Sequence, residues 1–170
     1  SRVSDVEVTA AGAPRRHRGL KLVNYLDETR IVTDLRGTTR DEVLLEMIEL
    51  FRDHPCVPDV DRFGAGIFAR EAQASTSIGG GLAIPHVRSE SVSDFVAAVG
   101  RSAAEIDFGS EQGGPVRIVV MMGIPSRKLK GYLRMLSHLS YIFKRPGLVE
   151  DMLEAPDASA LLALLRRHEG

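Results

Sequence analysis

Residues 116–124 read VRIVVMMGI, an apolar run broken only by Arg117 and Gly123. A run this continuous is the pattern of a strand covered on both faces, because a half-exposed strand would alternate apolar with polar residues. Immediately upstream, Gly109, Gly113, Gly114 and Pro115 supply turn chemistry, and before them Phe95 to Gly100 is again apolar and strand-like. Further back, Leu82-Ala83-Ile84 reads as a short strand stopped by Pro85. Downstream of Pro125 the period changes. Residues 128–144 form a long amphipathic segment that is expected to place Leu129, Leu133, Leu136 and Phe143 near one stripe. Pro146 closes it and opens a short helix to about residue 153. Asp157 is a good N-cap for a last helix over 158–167, whose Arg166 and Arg167 complement the dipole at its end.

Near the start, Thr39 and Glu42 have capping-box spacing, and Val43, Leu44, Met47, Ile48 and Phe51 recur at helical intervals. That helix is expected to end near His54-Pro55. A second helix over 59–73 should bury Phe63 and Ile67. Helices and buried strands alternate, so the class is α/β, a small sheet between helical layers.

The chain has 170 residues and a net charge of −1, with 44% apolar and 26% charged residues. Residues 20–170 suit one domain. Residues 1–19 are small, polar and basic with no apolar period, and read as a tether or linker. The first residue is Ser1, which suggests a processed chain or a piece of a longer one. The charge balance removes the broad case for nucleic-acid binding, with Arg15, Arg16, His17 and Arg18 a local exception. No apolar run approaches the roughly 18 residues of a membrane span, so direct membrane insertion is not expected. One cysteine, Cys56, excludes an internal disulfide framework, and a cytoplasmic location follows as the expectation. No cofactor is called for.

The chemistry concentrates in REAQASTSIGGGLAIPHVR, residues 70–88. Three consecutive glycines call for unusual dihedrals or close backbone approach. No Gly-Lys-Ser/Thr follows, so this is not a P-loop; nor does a helix start there, as a dinucleotide fingerprint requires. Pro85 forces Ile84 into an extended conformation, so His86 is expected at a strand end, presented at a surface. A neutral imidazole there can serve as base, metal ligand or covalent carrier. Metal partners are missing, since Glu90 is the nearest carboxylate and no second histidine is near. Arg70, Arg88, Ser75, Thr76 and Ser77 are the neighbours instead, and guanidinium and hydroxyl donors suit phosphate oxygens. A histidine that receives a phosphoryl group needs such an arrangement.

At Arg70-Glu71, Ser75-Thr76, Ile78-Gly79-x-Gly81 and Ala83-Ile84-Pro85-His86 the segment resembles the active-site block of the fructose/mannitol-type enzyme IIA domains. These belong to the bacterial sugar phosphotransferase system (PTS), and the nitrogen-regulatory IIA proteins are of the same family. The wider resemblance runs over about residues 21–168. It implies a mixed β-sheet flanked by helices on both faces. It also implies that His86 accepts a phosphoryl group from the phosphocarrier HPr and passes it to a cysteine of a IIB domain, with Arg70 stabilising the transferring charge. Ser75, Thr76, Gly79, Gly81, Arg88 and Tyr132 are then the candidate phosphate-binding residues. Many relatives carry a second histidine seven residues after the proline that ends the apolar strand. Here that position is Tyr132, whose phenol can donate a hydrogen bond to a phosphoryl oxygen but carries no positive charge.

His138 is turned away from position 132 and reads as an ordinary partly exposed helix residue. Cys56 reads as packing, and Met121-Met122 as core. Two further functions stay open beside the carrier. One is a regulatory module in which phosphorylation changes which target protein is bound. The other is a IIA-like appendage of a larger transporter, which the linker-like residues 1–19 motivate.

Overall fold

A computed structural model describes residues 20–170, so the tether expected over 1–19 lies outside the described residues. Strand β6 (Val116–Pro125), the run from which the sequence reading began, is the centre of a mixed six-stranded sheet. β5 (Val96–Ile106) runs antiparallel along one side of it, with Val99 opposite Val120, and β1 (Ile31–Val32) adds in parallel outside β5. Along its other side lie β3 (Leu82–Ala83) and β4 (His86–Ser89), both parallel, with β2 (Ser77–Gly79) antiparallel to β3.

Both faces of β6 are covered, as its continuous apolar pattern requires. Ile118, Val120, Met122 and Ile124 point into a core shared with α3 (Leu129–Phe143), α4 (Leu148–Glu154) and α5 (Ala158–Glu169). Val119 and Met121 point to the opposite core, shared with α1 (Arg40–Glu49) and α2 (Val60–Gln73). Period-2 alternation therefore sends Met121 and Met122 to different sides, and both are buried.

Local signals hold at most boundaries. Thr39 caps α1 by accepting from the Glu42 amide, and the Glu42 carboxylate accepts from the Thr38 amide, one residue earlier than in a strict capping box. Asp59 and Asp157 cap α2 and α5. The first helix ends at Glu49, short of the His54 expected: Phe51, Arg52 and His54 bond back three residues, which tightens the chain into turns before Pro55.

Two expectations need correction. The stripe expected on the long helix does not turn inward as a unit. Phe143 is buried and Leu136 packs partly buried against the core, but the other two members are exposed. Leu129 and Leu133 are 49% and 55% exposed, while Met135, Leu139, Ile142 and Phe143 fill the core. Two apolar stripes exist on this helix at the same spacing, so periodicity alone does not say which residues turn inward. The second correction concerns His86, which begins β4 as a strand end but is not presented at an open surface; it is 7% exposed. Leu82 pairs with Ile118 and His86 with Met122, the same offset, so 82–89 runs as one line along β6. Pro85 interrupts it only by lacking an N–H, and its carbonyl still accepts from the Met122 amide at 2.9 Å.

Candidate functional site

His86 opens a cleft of about 480 Å³ between the C-terminal half of α2, strand β4 and the loop into α3. The imidazole is fixed at both nitrogens. Nδ1 lies 2.7 Å from the carbonyl oxygen of Ile84, and Nε2 lies 3.2 Å from the Tyr132 hydroxyl. A carbonyl only accepts, so Nδ1 carries the proton and donates; Nε2 then holds the lone pair and accepts from the phenol. Burial pushes the His86 pKa below its ordinary value of 6.5; the Ile84 carbonyl opposes that shift, the Arg70 charge reinforces it and Glu71 opposes it. The ring is therefore neutral at neutral pH, with its nucleophilic nitrogen on the Tyr132 side.

Arg70 and Arg88 line the same cleft, from α2 and β4 respectively. Arg70 donates from Nη1 to the Ala74 carbonyl at 2.9 Å, which fastens the guanidinium over the end of its own helix. Arg88 lies over the Tyr132 ring, 5.4 Å from its centroid, and the His86 and Tyr132 rings lie 5.7 Å apart, tilted by 42°. No carboxylate lines this cleft. Two guanidinium groups, a phenol and an unprotonated imidazole nitrogen, with no carboxylate among the lining residues, have the chemistry that suits phosphate oxygens.

Four of the predicted phosphate ligands are not among the cleft-lining residues. Thr76 is buried and spends its hydroxyl and its amide on Glu71, both at 2.7 Å. Ser75 Oγ accepts from the Ser77 amide. Gly79 and Gly81 belong to the β2–β3 turn, where Gly79, Gly80 and Gly81 all have positive φ (92°, 66° and 84°). A Cβ at any of the three would meet nothing within 4 Å, so the triple glycine answers a need for left-handed dihedrals and not for close approach. Glu71 and Thr76 are better described as a buried clamp between α2 and the strand that leads to His86. Thr76→Val should lower the melting temperature by several degrees, since it strips one bond from a buried carboxylate at a cost of about 1–3 kcal/mol. Phosphoryl uptake by His86 should persist. An unchanged melting temperature with impaired uptake would return Thr76 to the cleft.

Gly66, Ala69, Gln73 and Ser126 complete the lining, and the sequence reading did not select them. Positions 66, 69, 70 and 73 share one helix face, so the spacing from Arg70 could have found the first three. A Cβ on Gly66 would lie 2.7 Å from the Val87 side chain, so its absence lets α2 pack close to β4. Ser126 carries no such signal. It comes to the cleft because its amide donates to the Ser89 carbonyl, which ties the ends of the parallel strands β4 and β6. Among the described residues no group of His, Cys, Asp and Glu could hold a metal ion, and no helix is long and apolar enough to cross a membrane. Cys56 packs, partly buried, on the α1–α2 side.

The mixed sheet and its helical layers are those of the IIA proteins. The nitrogen regulatory protein IIA-Ntr of Neisseria meningitidis superposes with a TM-score of 0.79 at 25% identity, over 85% of this chain and 98% of that one. Residues 24–168 match the family described as phosphoenolpyruvate-dependent sugar phosphotransferase system, EIIA 2, and the chain belongs to that family. It is 29% identical over 150 residues to the PTS system fructose-specific EIIABC component of Bacillus subtilis. That match takes in 88% of this chain but only 24% of the Bacillus protein. It is 31% identical over 117 residues to the PTS system fructose-specific EIIA component of Haloferax volcanii, covering 69% of this chain and 76% of that one.

Proposed function

We propose that this chain is a phosphoryl carrier in which His86 Nε2 accepts a phosphoryl group from an HPr-like phosphocarrier and passes it to the cysteine of a IIB domain. The observation that carries the reading is the orientation of His86. Nδ1–H is committed to the Ile84 carbonyl, which leaves the Nε2 lone pair, held by the Tyr132 hydroxyl, on the side of the cleft that Arg70 and Arg88 line.

The atoms balance without a proton shuttle. The donor's phosphohistidine P–N bond breaks as a new P–N bond forms on His86 Nε2, and the donor imidazole leaves neutral with the proton it already held. His86 keeps its Nδ1 proton and becomes a phosphoimidazolium, whose gain of positive charge strengthens the bond to Ile84. The three equatorial oxygens need fixed positive charge, which the two arginines supply. Transfer onward breaks the same P–N bond and forms P–S on a thiolate of the recipient.

Intact-mass spectrometry at neutral to mildly basic pH tests the reading, with the chain mixed with phosphoenolpyruvate, enzyme I and HPr. One acid-labile phosphoryl group is the expected result. No adduct beside fully phosphorylated HPr would overturn the carrier function. Tyr132 has to release Nε2 before the phosphorus can approach, and its hydroxyl is then free to donate to a phosphoryl oxygen. A neutral donor to a charged acceptor is worth about 1.5–3 kcal/mol. Tyr132→Phe should therefore slow transfer by roughly 10–100-fold; a faster variant would mean that the phenol only blocks the nitrogen.

The likeness to the Neisseria IIA-Ntr protein supports a second reading, a regulatory module. There the same phosphohistidine, with its added charge of about −1.5 to −2, changes docking to a target protein. Phosphoryl transfer to a IIB cysteine selects the first reading. A target whose affinity changes on phosphorylation, with no transfer, selects the second.

A further inference from the structure

Residues 126–147, which comprise α3 and its two flanks, contain six Lys and Arg and no carboxylate, in a chain whose total is 22 cations against 23 anions. Charge is separated across the molecule: residues 40–61, on the opposite side of the sheet, hold seven carboxylates against two cations. The outer face of α3 also exposes Leu129, Leu133 and Tyr141, at 49%, 55% and 64%. Arg145 lies over the Tyr141 ring, 5.4 Å from its centroid.

Some of these cations are tied down, for Lys128 pairs with Asp94 at 3.1 Å and Arg127 donates to the Ser93 carbonyl. Among the described residues the side chains of Lys130 and Arg134 make no ion pair or hydrogen bond. The face joins two hollows. At its beginning, Ser126 and Tyr132 line the His86 cleft. Towards its end, a groove of about 670 Å³ is lined by Lys21, Arg134, Ser137, His138 and Tyr141. Glu169 is the carboxylate in that groove, and it is already consumed. It accepts from the Leu22 and Val23 amides at 2.6 and 2.9 Å, lies 2.5 Å from His138 Nε2, and its side chain has no exposure. The groove therefore offers cations to whatever enters it.

We infer that the outer face of α3 is the docking surface for a protein partner that presents an acidic, partly apolar face, seated from the His86 cleft to the Arg134 groove. The inference rests on the phosphoryl-carrier reading and gives the partner's chemistry. An apolar stripe rimmed by unpaired charge is the make-up of a protein interface, and the charge selects the partner and speeds the encounter. Continuity with the His86 cleft puts the partner where a phosphoryl group on Nε2 can reach it or be sensed by it. The chain's own residues 1–19 do not match in charge, with four arginines against two carboxylates.

The test uses the full chain, immobilised, and a lysate of the native host at low salt. The protein that the wild type retains most strongly is identified and purified, and its affinity is titrated for the wild type and for the double variant Lys130→Glu, Arg134→Glu. The expected result is an affinity about tenfold weaker for the charge-reversed variant, weaker again as KCl rises, and weakened independently by Leu133→Ser. Circular dichroism checks that the variants fold. Retention of nothing, equal affinity for wild type and variant, or self-association of the wild type through this face would overturn the inference. So would binding of anionic phosphatidylglycerol vesicles in place of a protein. Phosphoramidate separates this from the underlying reading, because it phosphorylates histidine directly and releases ammonia with no protein docking. Wild type and both variants should load equally from it; a wild type that takes up no phosphoryl group sinks the carrier reading itself.

Discussion

His86→Ala should take up no phosphoryl group, from a phosphocarrier protein or from phosphoramidate, while keeping its fold. The loss is complete and not partial because no other group in the cleft can replace the nitrogen. The Tyr132 and Ser126 hydroxyls are the remaining candidates there, and with the imidazole removed neither has a base beside it in the cleft to activate it. Cys56 packs on the α1–α2 side of the sheet, and His138 is engaged with Glu169. The structural cost is modest: the Ile84 carbonyl loses one partner, which costs on the order of 1–2 kcal/mol. Intact mass and circular dichroism read both halves of the result. An acid-labile adduct that survives the substitution would remove His86 from the mechanism.

On the carrier reading the same histidine should set the pH behaviour. Its folded pKa is below the ordinary 6.5, with burial the leading cause. Its neutral form is thus favoured in the folded chain, and its contribution to stability is fully present above pH 6.5. That contribution is lost as the pH falls through the depressed folded value. Uptake from phosphoramidate should accordingly stay level as the pH drops through 6.5 and fail only at more acid pH. A half-loss at 6.5 would mean an imidazole in open water.

How much of this was legible beforehand depended on whether the signal was local. Caps, prolines and the buried run at 116–124 are local, and they gave the class and most helix boundaries. Arg70, His86, Arg88 and Tyr132 were readable as a set because motif and spacing pointed to each, and the fold gathers all four in one cleft. What failed was orientation. Proline was read as a terminator at position 85, whereas the pairing of His86 with Met122 carries the line past it. Leu129 and Leu133 fall on one stripe with Leu136 and Phe143, and the spacing alone does not show that only the far end of that stripe turns inward. Thr76 was read as a phosphate donor because a hydroxyl near an arginine does not reveal that Glu71 has already claimed it. For the strand and the helix the deciding partner lies on another element, whereas Glu71 is only five residues from Thr76 and the pattern still does not say that the two side chains meet.

Arg70→Ala should cut the rate of phosphoryl uptake by about 10²–10³-fold, the usual loss when one group aimed at developing transition-state charge is removed, about 2.7–4 kcal/mol. The guanidinium acts from a fixed position. One nitrogen is spent on the Ala74 carbonyl, where α2 ends, and the rest of the fork stays free to face the cleft. Charge held in place beforehand needs no reorganisation during transfer. Arg70→Lys should recover only part of the loss, since an ammonium keeps the charge but cannot both hold Ala74 and bridge two phosphoryl oxygens. The effect belongs in the rate of the chemical step and less in the apparent affinity, because the charge it meets develops during transfer. A second signature separates this role from a merely structural one. Arg70 helps to keep the His86 pKa low, so its removal should move the acid limb of the uptake profile towards 6.5, whereas a loss of helix capping alone would leave that limb in place. Single-turnover uptake from phosphoramidate across pH measures both. An unchanged rate with an unmoved acid limb would reject Arg70 as the group that meets the phosphoryl charge and leave Arg88, stacked on Tyr132, as the cation to test next.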